Sequence, residues 1–210
     1  GLEDLRLVYW DSKLYGTGVR RDTTTEGQGR MELSELNLTS SIEISRVRIE
    51  PPRDKNSYCE KNWMPVVDQP YTYVKWSNPT EVVVVDPVSG SSKTIKETQL
   101  PNAPANMRGG SQVLPLGSGY HIALIHEVDL FKSTAGRKDA VYRHRFVVWD
   151  ADWNIVKYTK DFSLLNGHVE FVAGLCFKDD KTYISFGYQD NAAYILELPT
   201  AILATFLNEN

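Results

Sequence analysis

The chain has 210 residues, 41% of them hydrophobic and 24% charged, and a formal net charge of −4. That composition suits one large globular domain, and without a basic run it argues against a nucleic-acid partner. No apolar run approaches the roughly 18 residues of a membrane span, and no secretory leader opens the chain, so no membrane partner and a cytoplasmic location are expected.

The first runs are strand-like. Residues 5–10, 13–20, 30–37 and 42–50 are short segments separated by polar or Gly-containing turns. Ile42, Ile44, Val47 and Ile49 sit among charges, as half-buried strands do. Together the four predict an antiparallel four-stranded meander, ended by Pro51-Pro52 and the polar stretch 54–57. A second group opens with Cys59-Glu60-Lys61-Asn62-Trp63-Met64-Pro65 and predicts strands over 71–76, 81–86 and 93–100. Its continuous run Val82-Val83-Val84-Val85 has the pattern of a strand buried on both faces. After the linker 101–104, a third group begins at Arg108-Gly109-Gly110-Ser111 and continues over 112–116, 120–128, 141–149 and 154–158. A basic, Gly-containing loop over 131–139 is expected to interrupt it. The last group has runs over 169–177, 181–188 and 192–198, with a Lys178-Asp179-Asp180 turn. Residues 201–207 fit a short helix or a last strand equally.

Short strands spaced near ten residues apart argue an all-β protein. Groups of about four strands at a period of roughly 40–50 residues are the signature of a β-propeller, with a sandwich as the competing architecture. The two cysteines, Cys59 and Cys176, permit one disulfide at most and are read as reduced thiols. Four histidines and two widely separated cysteines form no metal motif.

In a propeller the innermost strands line a central channel, and loops at one end build the site. Four polar clusters fall at the start of a group: Glu3-Asp4-Leu5-Arg6, Glu60-Lys61-Asn62-Trp63, Asn106-Met107-Arg108-Gly109-Gly110-Ser111, and His168-Val169-Glu170. Glu3-Asp4-Leu5-Arg6 resembles the E-D-P-R motif of five-bladed carbohydrate-active propellers, with Leu5 where Pro is usual. Gly109-Gly110-Ser111 followed by residues 120–127, YHIALIHE, is similar to a segment of the β-mannoside phosphorylase and mannosidase family. So are Tyr142-Arg143-His144-Arg145 before Val147-Val148-Trp149-Asp150, and the closing segment 168–190. E-K-N-W-x-P, R-G-G-S-Q and E-F-x-A-G-L also recur in a bacterial branch of such propellers associated with glycosyltransferases.

The resemblance implies a five-bladed type of propeller. Residues 1–210 then form a single β-propeller domain of about four blades that lacks an N-terminal blade. It also implies chemistry on a mannoside-like glycan by an inverting acid/base mechanism, as a glycoside hydrolase or phosphorylase. Glu170, Glu60 and Asp4 are the expected acid–base residues. Apolar Val169 and Phe171 would raise the pKa of Glu170 as a proton donor requires. Arg6, Asn62, Trp63, Arg108, His126, Arg143, His144, Arg145, Tyr188 and Asp190 are the expected substrate-binding residues. Arg108, Arg143 and Arg145 suit an oxyanion, so inorganic phosphate is the one co-substrate considered and no cofactor is expected. Inversion needs two carboxyl groups on one pocket, roughly 6.5–9.5 Å apart. The alternatives are a non-catalytic glycan-binding or glycosyltransferase-accessory module and a protein-interaction propeller. Carbohydrate is the expected partner, together with association with a glycosyltransferase or self-association through an open blade edge.

Overall fold

The computed structural model describes residues 1–22, 25–104, 106–132, 134, 136 and 138–208. It is a β-propeller arrangement of four sheets in a ring. Blade 1 is β1 (Glu3–Trp10), β2 (Lys13–Arg20), β3 (Arg30–Asn37) and β4 (Ile42–Arg48). Blade 2 is β5 (Met64–Pro65), β6 (Thr72–Ser77), β7 (Thr80–Val85) and β8 (Ser92–Thr98). Blade 3 is β9 (Leu114–Gly117), β10 (Tyr120–Lys132), β11 (Lys138–Trp149) and β12 (Ile155–Tyr158). Blade 4 has three strands, β13 (Glu170–Lys178), β14 (Lys181–Tyr188) and β15 (Ala192–Pro199). Each blade is an antiparallel meander whose strand order follows the chain. Residues Thr200–Asn208 form the helix α1, which resolves the choice left open for 201–207.

Turn chemistry sets the registers. Asp11-Ser12 and Asp179-Asp180 carry positive φ between the paired residues Trp10 and Lys13 and between Lys178 and Lys181. Those are two-residue hairpins of the kind whose twist matches the strands they join. The expected loop over 131–139 is shorter at both ends, with Phe131 and Lys132 in β10 and Lys138 and Asp139 in β11. β10 and β11 run as one long hairpin that pairs Lys132 with Lys138 and His126 with His144. Ser133, Ala135 and Arg137 of that expected loop lie outside the described residues.

Three apolar cores hold neighbouring blades together. Val8, Trp10, Tyr15 and Met31 of blade 1 meet Trp63, Tyr73 and Val83 of blade 2. Met64, Val74 and Val82 of blade 2 meet Ala123, Ile125, Val147 and Trp149 of blade 3. Ile122, Leu124 and Phe146 of blade 3 meet Val172, Ile184 and Phe186 of blade 4, with Leu203 of α1. The Val82–Val83 pair thus faces two different cores, as its β-branched run predicts. Each fully buried large side chain contributes roughly 1.5–3 kcal/mol. Indole donors are satisfied across the seams: Trp10 Nε1 donates to Val66 O at 2.8 Å, and Trp149 Nε1 to Thr80 Oγ1 at 3.0 Å.

Blades 4 and 1 meet differently. Near the axis Gln112 bridges them, donating to Leu7 O at 2.7 Å while its Oε1 accepts from the Leu175 N–H at 3.0 Å. Among the described residues no buried apolar cluster joins these two blades. Leu5, Leu7 and Tyr9 alternate with buried Arg6, Val8 and Trp10 on β1 and stay exposed. The ring is therefore closed at its inner strands and lacks an apolar core at this seam. Cys59 and Cys176 are both free thiols. No helix among the described residues is long and apolar enough to cross a membrane.

Candidate functional site

The starts of the inner strands converge around Arg6, which is fully buried. Its Nη1 donates to Asp4 O at 2.5 Å, its Nε to Gly110 O at 2.7 Å and its Nη2 to Asn62 Oδ1 at 3.4 Å. Its guanidinium carbon lies 5.2 Å from the centre of the Phe171 ring. These four partners come from the four blade starts, so one side chain ties the ring at its axis. Burial lowers its pKa to about 10, with Asp4 opposing the shift, and it remains a cation at neutral pH.

Two residues beside Arg6 hold left-handed backbone outside any hairpin turn. Asp4 has φ 54° at a register shift in β1, and Asn62 has φ 62° just before β5. Non-glycine residues adopt this conformation at a cost, least for Asp and Asn. Arg6 bonds the carbonyl of one and the side chain of the other, and so stabilises both.

Asp4 opens into a cavity of about 670 Å³ at the channel mouth, together with Lys61, Tyr142, Phe171 and Asp190. Burial raises the Asp4 pKa, opposed by Arg6 and Lys61 and reinforced by Glu3 and Asp190. Burial likewise raises the Tyr142 phenol, helped by the negative charges of Asp4 and Asp190. Tyr142 stacks on His126 at 5.3 Å, and Phe171 meets the same imidazole edge-on at 5.3 Å. His126 thus lies beneath the two aromatic residues of the cavity and is itself buried. Burial, followed by His144, Arg6, Arg108 and Lys61, holds its pKa well below the usual imidazole range. It is neutral at pH 7.

The three expected acids do not share one pocket. Glu170 is fully buried, and its carboxylate accepts the backbone N–H groups of Leu164 at 2.6 Å, Leu165 at 2.8 Å and Gly167 at 2.7 Å. Burial alone would raise its pKa. The nearby His144 and these three donors reverse that and pull it down to about 2. The expected raised pKa of a proton donor is therefore corrected: Glu170 is a structural anion that fixes residues 164–167. Glu60 lines a different cavity, of about 470 Å³. It accepts from Ser57 Oγ at 2.8 Å and Trp63 Nε1 at 3.1 Å and lies 3.6 Å from Lys75 Nζ.

The expected binding residues divide in the same way. Asn62, Trp63 and Arg108 line the cavity of Glu60, with Trp63 almost wholly buried, and Asp190 lines that of Asp4. His144 is fully buried with its Nε2 3.7 Å from Glu170 Oε2. Arg143 and Arg145 both reach Asp161, at 3.9 and 3.3 Å, and Arg145 also pairs with Glu127 at 2.7 Å. Arg145 lines a third cavity with Tyr158, so the three arginines expected to grip one oxyanion are not gathered around Arg108. Tyr188 packs against Gly167 and Tyr194. Lys61, Tyr142 and Phe171 line the cavity of Asp4 and were not among the expected site residues. Their signal was their place in the sequence beside the expected residues Asn62, Arg143 and Glu170. Among the described residues no His, Cys, Asp and Glu group could hold a metal ion.

Neither a protein-family model nor a curated protein matches the sequence. Solved structures do resemble the fold. A mannose phosphorylase from Leishmania mexicana, in complex with phosphate, superposes with TM-score 0.61 at 14% identity, covering 97% of this chain and 69% of that one. A β-1,2-mannobiose phosphorylase from Listeria innocua gives 0.63 at 14%, covering 100% and 61%. A glycosyl hydrolase from Bacteroides ovatus gives 0.64 at 12%, covering 96% and 66%. The chain thus spans about two thirds of these longer structures and shares their propeller fold.

Proposed function

We propose that this chain is a carbohydrate-active propeller that binds a mannoside-like glycan at the channel mouth. The observation that carries the reading is the cavity where Asp4, Lys61 and Phe171 from three blade starts meet Tyr142 of β11 and Asp190 of the β14–β15 turn. Carboxylates and an ammonium suit sugar hydroxyls, and aromatic rings offer the apolar surface that a pyranose face needs. The likeness in fold to a mannose phosphorylase and a mannobiose phosphorylase supports the choice of sugar. Residues Asp4 and Asp190 accept hydroxyl protons, Lys61 donates, and Tyr142 and Phe171 form the floor.

A second reading keeps catalysis and is favoured by one observation. Asp4 has a raised pKa and shares its cavity with Asp190. An inverting step would have Asp4 donate its proton to the glycosidic oxygen, which leaves as an alcohol. Asp190 would take the proton from water attacking the anomeric carbon. With phosphate as the attacking group, Lys61 is the cation lining this cavity, and Arg108 lines the adjoining one. Partner binding belongs to the same proposal, with the free edge of β15 offered to another polypeptide, a glycosyltransferase or a second copy.

Titration of the protein with mannose and manno-oligosaccharides, with and without phosphate, separates the readings. Binding without release of reducing sugar or sugar phosphate, weakened about tenfold by Asp4→Asn, supports the binding module. Product formation abolished by Asp4→Asn while the saccharide still binds supports the enzyme. No measurable saccharide binding by the unmodified chain overturns both.

A further inference from the structure

The cavity of Glu60 lies at the same end of the propeller as that of Asp4, and Lys61 lines both. The two are neighbouring parts of one mouth, and each falls within the roughly 300–1,000 Å³ range of small-molecule sites. Trp76, the next-to-last residue of β6, forms part of the wall of the Glu60 cavity. Its ring is half-buried, and its Nε1–H donates to Asn78 O at 2.9 Å. The Asn78 side chain in turn donates toward the carbonyls of Leu100, Ala103 and Pro104 at 3.3–3.4 Å and accepts from the Leu100 N–H at 3.2 Å. The indole is therefore held in place before any ligand arrives. Beside it Lys75 Nζ lies 3.6 Å from Glu60 and 3.4 Å from Glu81, and Lys61 and Arg108 line the same cavity. A fixed indole among carboxylates and cations suits a polyhydroxyl ligand, whose apolar ring face stacks while its hydroxyls hydrogen-bond to the charged groups around it.

We infer that this cavity is a second saccharide subsite, with Trp76 as its stacking platform and Lys61 at the junction. The ligand is then an oligosaccharide of two or more units, with one sugar over Tyr142 and Phe171 and another against Trp76. This rests on the reading of the channel mouth proposed above. It adds a requirement that the mouth alone does not impose, namely that affinity grows with chain length.

Calorimetric titration with mannose, mannobiose and mannotriose tests it. The unmodified protein should bind the longer saccharides about tenfold tighter than mannose, the gain expected of one well-placed aromatic contact. Trp76→Ala should reduce that ratio toward one, and Trp76→Tyr, which keeps a ring, should restore part of it. Thermal unfolding of both variants identifies any loss due to misfolding, and the Tyr variant keeps the test open if the Ala variant fails to fold. An unmodified protein that binds mannose, loses it on Asp4→Asn, and yet binds all three saccharides equally overturns this inference alone. A length preference unchanged in both Trp76 variants does the same. Failure of every saccharide to bind overturns the channel-mouth reading along with it.

Discussion

A carboxylate ringed by backbone N–H groups is stabilised as an anion, and Glu170 makes the consequence measurable. Its folded pKa of about 2 lies below the ordinary 4.5. A depressed acid contributes stability that is fully present above its unfolded pKa and is lost as pH falls through the folded value. The contribution here is roughly 3 kcal/mol, and it should disappear between about pH 4.5 and pH 2. Glu170→Gln keeps one acceptor oxygen but turns an amide N–H₂ toward backbone donors, so it should cost about 2 kcal/mol at pH 7. Denaturant unfolding as a function of pH checks both statements. The difference between the two proteins should shrink across that window, and parallel curves would refute the assignment. The apolar neighbours Val169 and Phe171 had suggested a raised pKa. What they could not reveal is that residues 164–167, only three to six positions upstream, fold back to supply three donors. Asp4 shows the converse. Its place in the cluster at the start of β1 was readable, but its left-handed backbone and its nearness to the negative charge of Asp190 in blade 4 were not.

Among the elements, the strand runs were legible because turns and alternation are local. β1 to β4, β6 to β8 and β13 to β15 lie within a few residues of the runs predicted for them. The inner parts of β10 and β11 match the runs predicted over 120–128 and 141–149, but their extension to Lys132 and back from Lys138 was not legible, because the basic, Gly-containing stretch there reads as a loop. Gly109-Gly110 marks a further limit of local reading. A tight turn accounts for glycine there from sequence, yet neither residue is among those with positive φ. The requirement is close approach. A Cβ on Gly109 would fall 1.8 Å from Asn62 O, and one on Gly110 would fall 2.1 Å from Leu124 O. Both obstacles are backbone, which cannot rotate away. Gly110→Ala should therefore push the start of blade 3 off β10 and away from Arg6, destabilising by about 2–3 kcal/mol. Thermal denaturation measures the loss. A melting temperature within a degree or two of the parent would mean that the strand start shifts without resistance.

For the molecule as a whole, the decisive contrast lies between three seams packed by apolar cores and a fourth that has none among the described residues. Blade number could be approached from the period of the strand groups, but whether adjacent blades seal depends on which faces meet, and that is a property of the closed ring. The outer edges differ correspondingly. β4 carries Glu43, Arg46 and Arg48, and β8 carries Lys93, Lys96 and Glu97, charges that discourage pairing with another chain. β15 carries only Glu197, already paired with Lys181, while Ile195 is 74% exposed and Tyr194 46%. An eight-residue edge with few charges, on a blade of three strands, is a ready template for one further strand. Self-association should therefore be visible as a sedimentation coefficient that rises with protein concentration over roughly the micromolar range in which weak interfaces form. Ile195→Lys places a charge at the centre of the edge on a side chain that makes no buried contact, so it should suppress association while leaving the melting temperature unchanged within about 0.5 kcal/mol of stability. If the parent chain sediments as a single species at every concentration, or if the variant associates as readily, pairing through β15 is ruled out. Attention would then turn to the exposed face formed by Leu5, Leu7 and Tyr9, where Leu7→Glu is the corresponding change.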